Sequence, residues 1–127
     1  MKTYDVLVGV RELIKDPDHW TQFTFARDSE GNDWIEPWEP EACQWCVNGA
    51  VQRTVFGEIP AYESAVILDY DTNNAVQVFL DAVALERFSM GSVNVNDKLG
   101  HESVMAILDQ AIEQLEESDA SDNQAAA

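Results

Sequence analysis

From Tyr4 to Lys15 the apolar residues Val6, Leu7, Val10, Leu13 and Ile14 recur at the i, i+3, i+4, i+7 spacing that lines one face of a helix. The pattern predicts an amphipathic helix over 4–15. Asp16-Pro17-Asp18 ends it, since the residue before a proline is driven out of the helical region and proline lacks the N–H that would continue the ladder. Helical spacing returns further on. Ala61, Ala65, Val66 and Leu68 predict a short helix over 61–69, and Val76, Phe79, Leu80, Val83, Ala84 and Phe88 predict a longer one over 74–88. The strongest stripe is Val104, Ile107, Leu108, Ala111, Ile112 and Leu115, with Glu102, Asp109, Glu113 and Glu116 off it, predicting a helix over 102–117. Between the last two, Met90–Val95 reads as extended or irregular.

The centre of the chain is patterned differently. Trp38-Glu39-Pro40 reads as a helix entry, with proline in the first turn where its missing N–H is harmless, and predicts a helix over 40–54. On that helix Ala42, Cys46, Gly49 and Ala50 share one face, a stripe of small side chains against which a neighbour can pack closely. Gly49 inside a helix costs about 1 kcal/mol relative to alanine, which is understandable if a nearby backbone or Trp needs the space. Trp45, on an adjacent face, is expected in the core. Phe23 and Phe25, with Trp34 and Ile35, suggest a short ribbon around the turn-forming run Asp28–Asp33. The expected fold is therefore mainly α: a compact bundle of about five helices with a short β-ribbon, forming one globular domain over 1–117. Ser118–Ala127 has no apolar anchor to offset roughly 1–2 kcal/mol of backbone ordering entropy per residue, and is expected to be a disordered polar tail.

Charge narrows the partners. Seven basic residues stand against 24 acidic ones, a net charge of −17, which disfavours direct binding to nucleic acid or to anionic membrane surfaces. The excess is uneven: residues 16–42 hold eight acids and one base, residues 91–127 the same, and 43–60 are neutral. Solvation, adaptation to high salt and mimicry of DNA, in which carboxylates occupy a groove built for phosphates, are three readings of such a surface. No window is long and apolar enough for a membrane span, and Lys2 and Asp5 interrupt any signal-peptide core, so a cytoplasmic location with reduced thiols is expected.

Candidate chemistry is sparse. Cys43-Gln44-Trp45-Cys46 has the look of a metal or redox pair, yet His19 and His101 lie singly on opposite sides of it, which argues against a zinc site. A redox pair normally follows a strand and opens a helix; here both thiols fall within the predicted helix, and Glu39 and Glu41 would raise their pKa. No nucleophile pair, phosphate loop or distinctive carboxylate spacing stands out, so no catalytic residue, metal or cofactor is assigned. Asn94-Val95-Asn96-Asp97 with Gly100 reads first as turn chemistry before the last helix, where His101 meets the positive end of the dipole. It also offers polar side chains for a cleft. Trp20, Arg27, Asn96 and Asp97 are the ligand-binding candidates, Arg27 because it is one of few cations and can grip an anion by a forked pair of hydrogen bonds. Set against that, a salt bridge from Arg27 to one of many carboxylates is the plainer expectation.

Trp20-Thr21-Gln22, Ala26-Arg27-Asp28, Trp45-Cys46-Val47-Asn48-Gly49-Ala50 and Asn96-Asp97, followed by a terminal helix with Val104 and Leu108, together resemble a family of short phage and bacterial proteins termed domain of unknown function 6197. The resemblance extends to about Leu115. Its members typically show a Trp-Thr near the end of the first helix, a Trp-Cys-x-x-Gly-Ala helix, and an Asn-Asp followed by Gly and a helix-capping Thr. Here His101 stands in place of that Thr, and Phe23 and Phe25 enlarge a segment that is usually small. What the resemblance implies is a compact helical fold and an origin on a phage or mobile element, with no activity attached. Combined with the charge, it suggests a non-enzymatic interaction protein whose acidic face meets the basic surface of a host or defence protein. The alternative is a small-molecule binder or minor enzyme with a pocket near Trp20, Arg27, Asn96 and Asp97. Phe23, Trp34 and Trp38 are candidates for an exposed aromatic patch.

Overall fold

Helix α1, Thr3–Ile14, puts Val6, Leu7, Val10 and Ile14 fully inside, as its spacing requires. The computed structural model describes residues 1–59 and 68–126, with side chains as far as Ser118. After α1 the Asp16 carboxylate accepts the Asp18 N–H at 2.9 Å and caps a 3₁₀ turn over Pro17–His19. The chain then wanders through residues 20–43 before two more helices, α2 (Val47–Phe56) and α3 (Tyr70–Phe88). A single helical turn α4 (Ser92–Asn94) and a π-helical turn (Val95–Leu99) lead into α5, His101–Ala126. Helix α1 packs on α2 and α5, and α3 closes the bundle against α5 and α2. Val47, Ala50 and Val51 of α2, Val76, Leu80 and Val83 of α3, and Val104, Ile107, Leu108 and Ala111 of α5 share one core with α1. Each such large side chain contributes about 1.5–3 kcal/mol by leaving water.

The fold is mainly α with a small two-stranded ribbon, as expected, but the ribbon is built from other residues. Strand β1, Ala26–Arg27, pairs antiparallel with β2, Gln44–Trp45, with Ala26 opposite Trp45 and Arg27 opposite Gln44. The turn over 28–33 forms, with the Asp28 carboxylate accepting the N–H groups of Glu30 and Asn32, yet Trp34 and Ile35 take no part in the ladder. Phe23 has φ of 69°, a left-handed conformation that removes it from any strand.

The central helix starts at Val47, not Pro40. Backbone pairing wins over local helix preference here: Cys43 N–H donates to the Arg27 carbonyl, Cys46 N–H to Phe25, and Thr21 N–H to Trp45. Ala42 and Trp45 are buried as core residues, but off the helix on which a small-residue stripe was drawn. Only Gly49 and Ala50 of that stripe are helical. Cys46 caps the helix, its Sγ accepting the Gly49 N–H at 3.2 Å. Trp45 donates its indole N–H to the Pro37 carbonyl, and Arg53 reaches the Pro37 and Glu39 carbonyls while lying over the Trp45 ring, so the segment expected to be helical is instead strapped down as a loop.

Helix α3 begins ahead of the expected Asn74 because Asp69 caps it, accepting the N–H and hydroxyl of Thr72. The helix expected over 61–69 falls at 61–67 outside the described residues, and Leu68 and Asp69 are not helical. Met90–Val95, expected to be extended or irregular, holds the α4 turn, where Asp81 accepts both the N–H and the hydroxyl of Ser92. Helix α5 continues past the Glu117 end of its apolar stripe to Ala126.

Candidate functional site

The π-helical turn is closed by Gly100 N–H bonding back to the Val95 carbonyl, five residues earlier, and Gly100 itself takes φ of 106°. That extra residue in the turn sets Asn96 inside the protein, 1% exposed, with Asp97 at its edge. Asn96 Oδ1 accepts the Trp20 indole N–H at 2.7 Å and the Val47 N–H at 2.9 Å. Its Nδ2 donates to the Thr21 carbonyl and to Asp97 Oδ1, both at 3.0 Å. Two acceptor positions and two donor hydrogens are thus all used within the protein, and this amide is a clamp. Gln22 adds a donor to the Asn96 carbonyl, and Phe23 N–H bonds Asp97 Oδ1 at 2.9 Å. His101, the first residue of α5, sets its ring edge-on to Trp20 and donates from Nε2 to the Ile14 carbonyl at 2.7 Å, joining the end of α1 to the start of α5.

Three of the four ligand candidates, Trp20, Asn96 and Asp97, therefore meet in one network. Arg27 does not join it directly. Its guanidinium donates to the Thr21 hydroxyl at 2.8 Å, the Gly31 carbonyl at 3.0 Å and the Gln22 carbonyl at 3.4 Å, so it staples the 20–32 loop. Neither an open anion fork nor the expected salt bridge is formed: among the described residues its partners are neutral oxygens.

Beside this network lies an open cleft of about 320 Å³ lined by Phe23, Thr24, Phe25, Cys46, Asn48, Val93, Asn96 and Asp97. Its rim is apolar and exposed: Phe23 is 74% accessible, Phe25 50% and Val93 52%. Its floor is polar. Asn48 is buried and donates to Gln77 Oε1 and Ser92 Oγ, while its Oδ1 accepts no hydrogen bond among the described residues. Thr24 and Val93 carry no signal in the sequence, whereas Phe25 enters there only as a ribbon residue and Asn48 only as a lone amide among the small apolar residues 46–51.

Residues 1–114 match the family of unknown function DUF6197. The chain belongs to that family. The span of DUF6197 matched here includes the whole network and the whole cleft. The segments that carry the resemblance, Trp20-Thr21, Trp45-Cys46-x-x-Gly49-Ala50 and Asn96-Asp97, all meet around the Asn96 side chain, with Trp20 also forming an isolated parallel bridge to Trp45. In this member of DUF6197, Phe23 and Phe25 form the cleft rim together with Val93. No curated protein and no solved structure matches the chain.

The cysteine pair needs a correction. Cys46 does follow a strand and open a helix, so the positional argument against redox chemistry falls. Burial supplies a different one: desolvation pushes the Cys46 thiol up to about 11, against the pull of backbone N–H groups at the helix start, and nearby Asp97 adds to the rise. A thiol held neutral at physiological pH is a poor nucleophile. Among the described residues no three His, Cys, Asp or Glu side chains group as metal ligands, and no helix is long and apolar enough to cross a membrane.

Proposed function

We propose that this member of DUF6197 is a non-enzymatic protein-interaction module that engages a basic protein surface. The observation that carries the reading is the pairing of an exposed apolar rim, Phe23, Phe25 and Val93, with a chain of net charge −17. Large apolar side chains held out to solvent beside a cleft lose hydration when covered, and the acidic surround favours a cationic partner and speeds its approach. Phe23 strengthens the case. A bulky residue in left-handed backbone is strained by roughly 1–3 kcal/mol, and such strain collects where it positions a group for contact.

A phage or mobile-element origin, with a host or defence complex as partner, belongs to this proposal. DNA mimicry is its special case, in which the basic surface is a phosphate-binding groove. The small-molecule alternative uses the same cleft. What favours a protein partner is the exposure of the rim, since small ligands are bound by burying most of their surface in more enclosed sites. Calorimetric titration with a lysine- and arginine-rich peptide, at about 20 mM and then about 500 mM salt, tests the reading. Affinity should fall steeply as salt rises. Binding indifferent to salt, or none at low salt, refutes it.

A further inference from the structure

Resting on that interaction reading, we infer that the Phe23–Phe25–Val93 cleft is the anchor pocket for a single cationic side chain of the partner, an arginine, held between aromatic faces and the Asp97 carboxylate. The lining contains two phenyl rings and one carboxylate but no cation. Asp97 uses Oδ1 for Phe23 N–H and the Asn96 amide, while Oδ2 accepts no hydrogen bond and no ion pair is made by Asp97 among the described residues. Arg27 is occupied by three neutral oxygens of its own loop, and neither it nor the adjacent Lys98 forms an ion pair with Asp97 among the described residues. The pocket therefore presents an unpaired negative charge beside low-dielectric walls, where its field is weakly screened.

Size and donor count select the guest. A volume of about 320 Å³ sits at the small end of ligand clefts, enough for one long side chain and not for a folded peptide. A phenyl face attracts a cation within about 6 Å of its centre, and a planar guanidinium can also stack on it, which an ammonium cannot. Asn48 in the same lining keeps its Oδ1 buried away from the open cleft, so the acceptor offered to a guest is the Asp97 carboxylate, to which a guanidinium can turn more than one of its five N–H groups. The acidic shell then acts as the long-range attraction and the cleft as the point of register.

The test uses the full chain and two probes of nearly the same shape, N-acetyl-arginine amide and the neutral N-acetyl-citrulline amide, followed through backbone amide NMR shifts. Arginine should move Phe23, Phe25, Asn48, Val93 and Asp97 together, citrulline should not, and Asp97→Asn should weaken arginine at least about tenfold. That variant keeps an Oδ1 acceptor for Phe23 and Asn96, so the fold is preserved. Phe23→Ala and the rim variant Val93→Ser, both at exposed positions, should each weaken binding, and the same spectra report whether they fold. Equal binding of citrulline, shifts confined to the acidic helices, or unchanged affinity in all three variants overturns the pocket. Deca-arginine separates the two readings: salt-sensitive binding that ignores the variants defeats the pocket and leaves the acidic interface standing, whereas failure of deca-arginine to bind at low salt defeats both.

Discussion

Replacing Gly49 by alanine tests the junction on which the cleft is built. An ideal Cβ at position 49 would stand 1.9 Å from the Phe25 carbonyl oxygen and 2.8 Å from its carbon, both backbone atoms. Real Cβ atoms essentially never come closer than 3.0 Å, so the Phe25 peptide must retreat by at least about 1.1 Å. That movement breaks the 3.3 Å bond from Cys46 N–H to the Phe25 carbonyl and strains the adjoining Ala26–Trp45 pairing, with Ala26 fully buried. Two weakened backbone hydrogen bonds at about 1 kcal/mol each, plus 1–3 kcal/mol of misfit in the core, outweigh the ~1 kcal/mol that alanine gains over glycine in a helix. The net loss should be about 2–4 kcal/mol. Gly9→Ala is the milder comparison, because its nearest neighbour is the Thr54 methyl at 2.8 Å, a side-chain atom that need give by only about 0.2 Å rather than a backbone carbonyl, so the loss there should be the smaller of the two. Urea unfolding followed by tryptophan fluorescence measures both. If Gly49→Ala is as stable as the natural protein, the close approach of β1 to α2 is wrong, and the rim of the cleft with it.

Asn96→Ala should be among the most destabilising single changes, by roughly 3–5 kcal/mol, because it strands the Trp20 indole and the Val47 N–H as donors and the Thr21 carbonyl as an acceptor; a thermal midpoint within a few degrees of the natural protein would contradict the clamp. Cys46 should resist alkylation in the folded protein while half-buried Cys43 reacts, and mass mapping after brief iodoacetamide treatment checks the order. The raised thiol pKa also has a stability sign: below about 9 the thiol is neutral in both folded and unfolded chains, whereas between about 9 and 11 only the unfolded chain ionises, so stability should fall with rising pH across that window. The loss reaches about 2 kcal/mol by the upper end, and Cys46→Ser should flatten the curve relative to the natural chain. Phe23→Gly should leave stability unchanged or raise it by about 1 kcal/mol, since glycine adopts φ of 69° without strain and the ring is exposed; a loss of more than 1 kcal/mol by urea unfolding would mean the ring supports the fold.

The candidate site was half legible. Trp20, Asn96 and Asp97 were chosen as polar or aromatic residues in irregular segments, and the structure joins them, but their role is mostly internal: Asn96 has no free hydrogen-bonding position, and Trp20 is its partner. Arg27, whose charge suggests an anion site, organises its own loop through carbonyl and hydroxyl oxygens. The cleft itself could not be read from sequence, because Phe25, Asn48, Val93 and Asp97 come from four separate segments with no spacing rule between them. Phe23 illustrates the limit well. Nothing in its local sequence announces a left-handed backbone, and its N–H is bonded to the Asp97 carboxylate far along the chain.

Periodic burial was decided locally. Val6, Leu7, Val10 and Ile14, Val76, Leu80, Val83 and Ala84, and Val104, Ile107, Leu108 and Ala111 are inside because a repeat near 3.6 residues leaves a chain in water one favourable way to hide them, whatever they pack against. The strong net acidity likewise follows from residue counts alone. Residues 40–46 obeyed no such rule. Their backbone could satisfy its hydrogen bonds as a helix or as a strand, and the choice fell to Phe25, Ala26 and Arg27 arriving alongside with matching donors and acceptors, something no window of neighbouring residues contains.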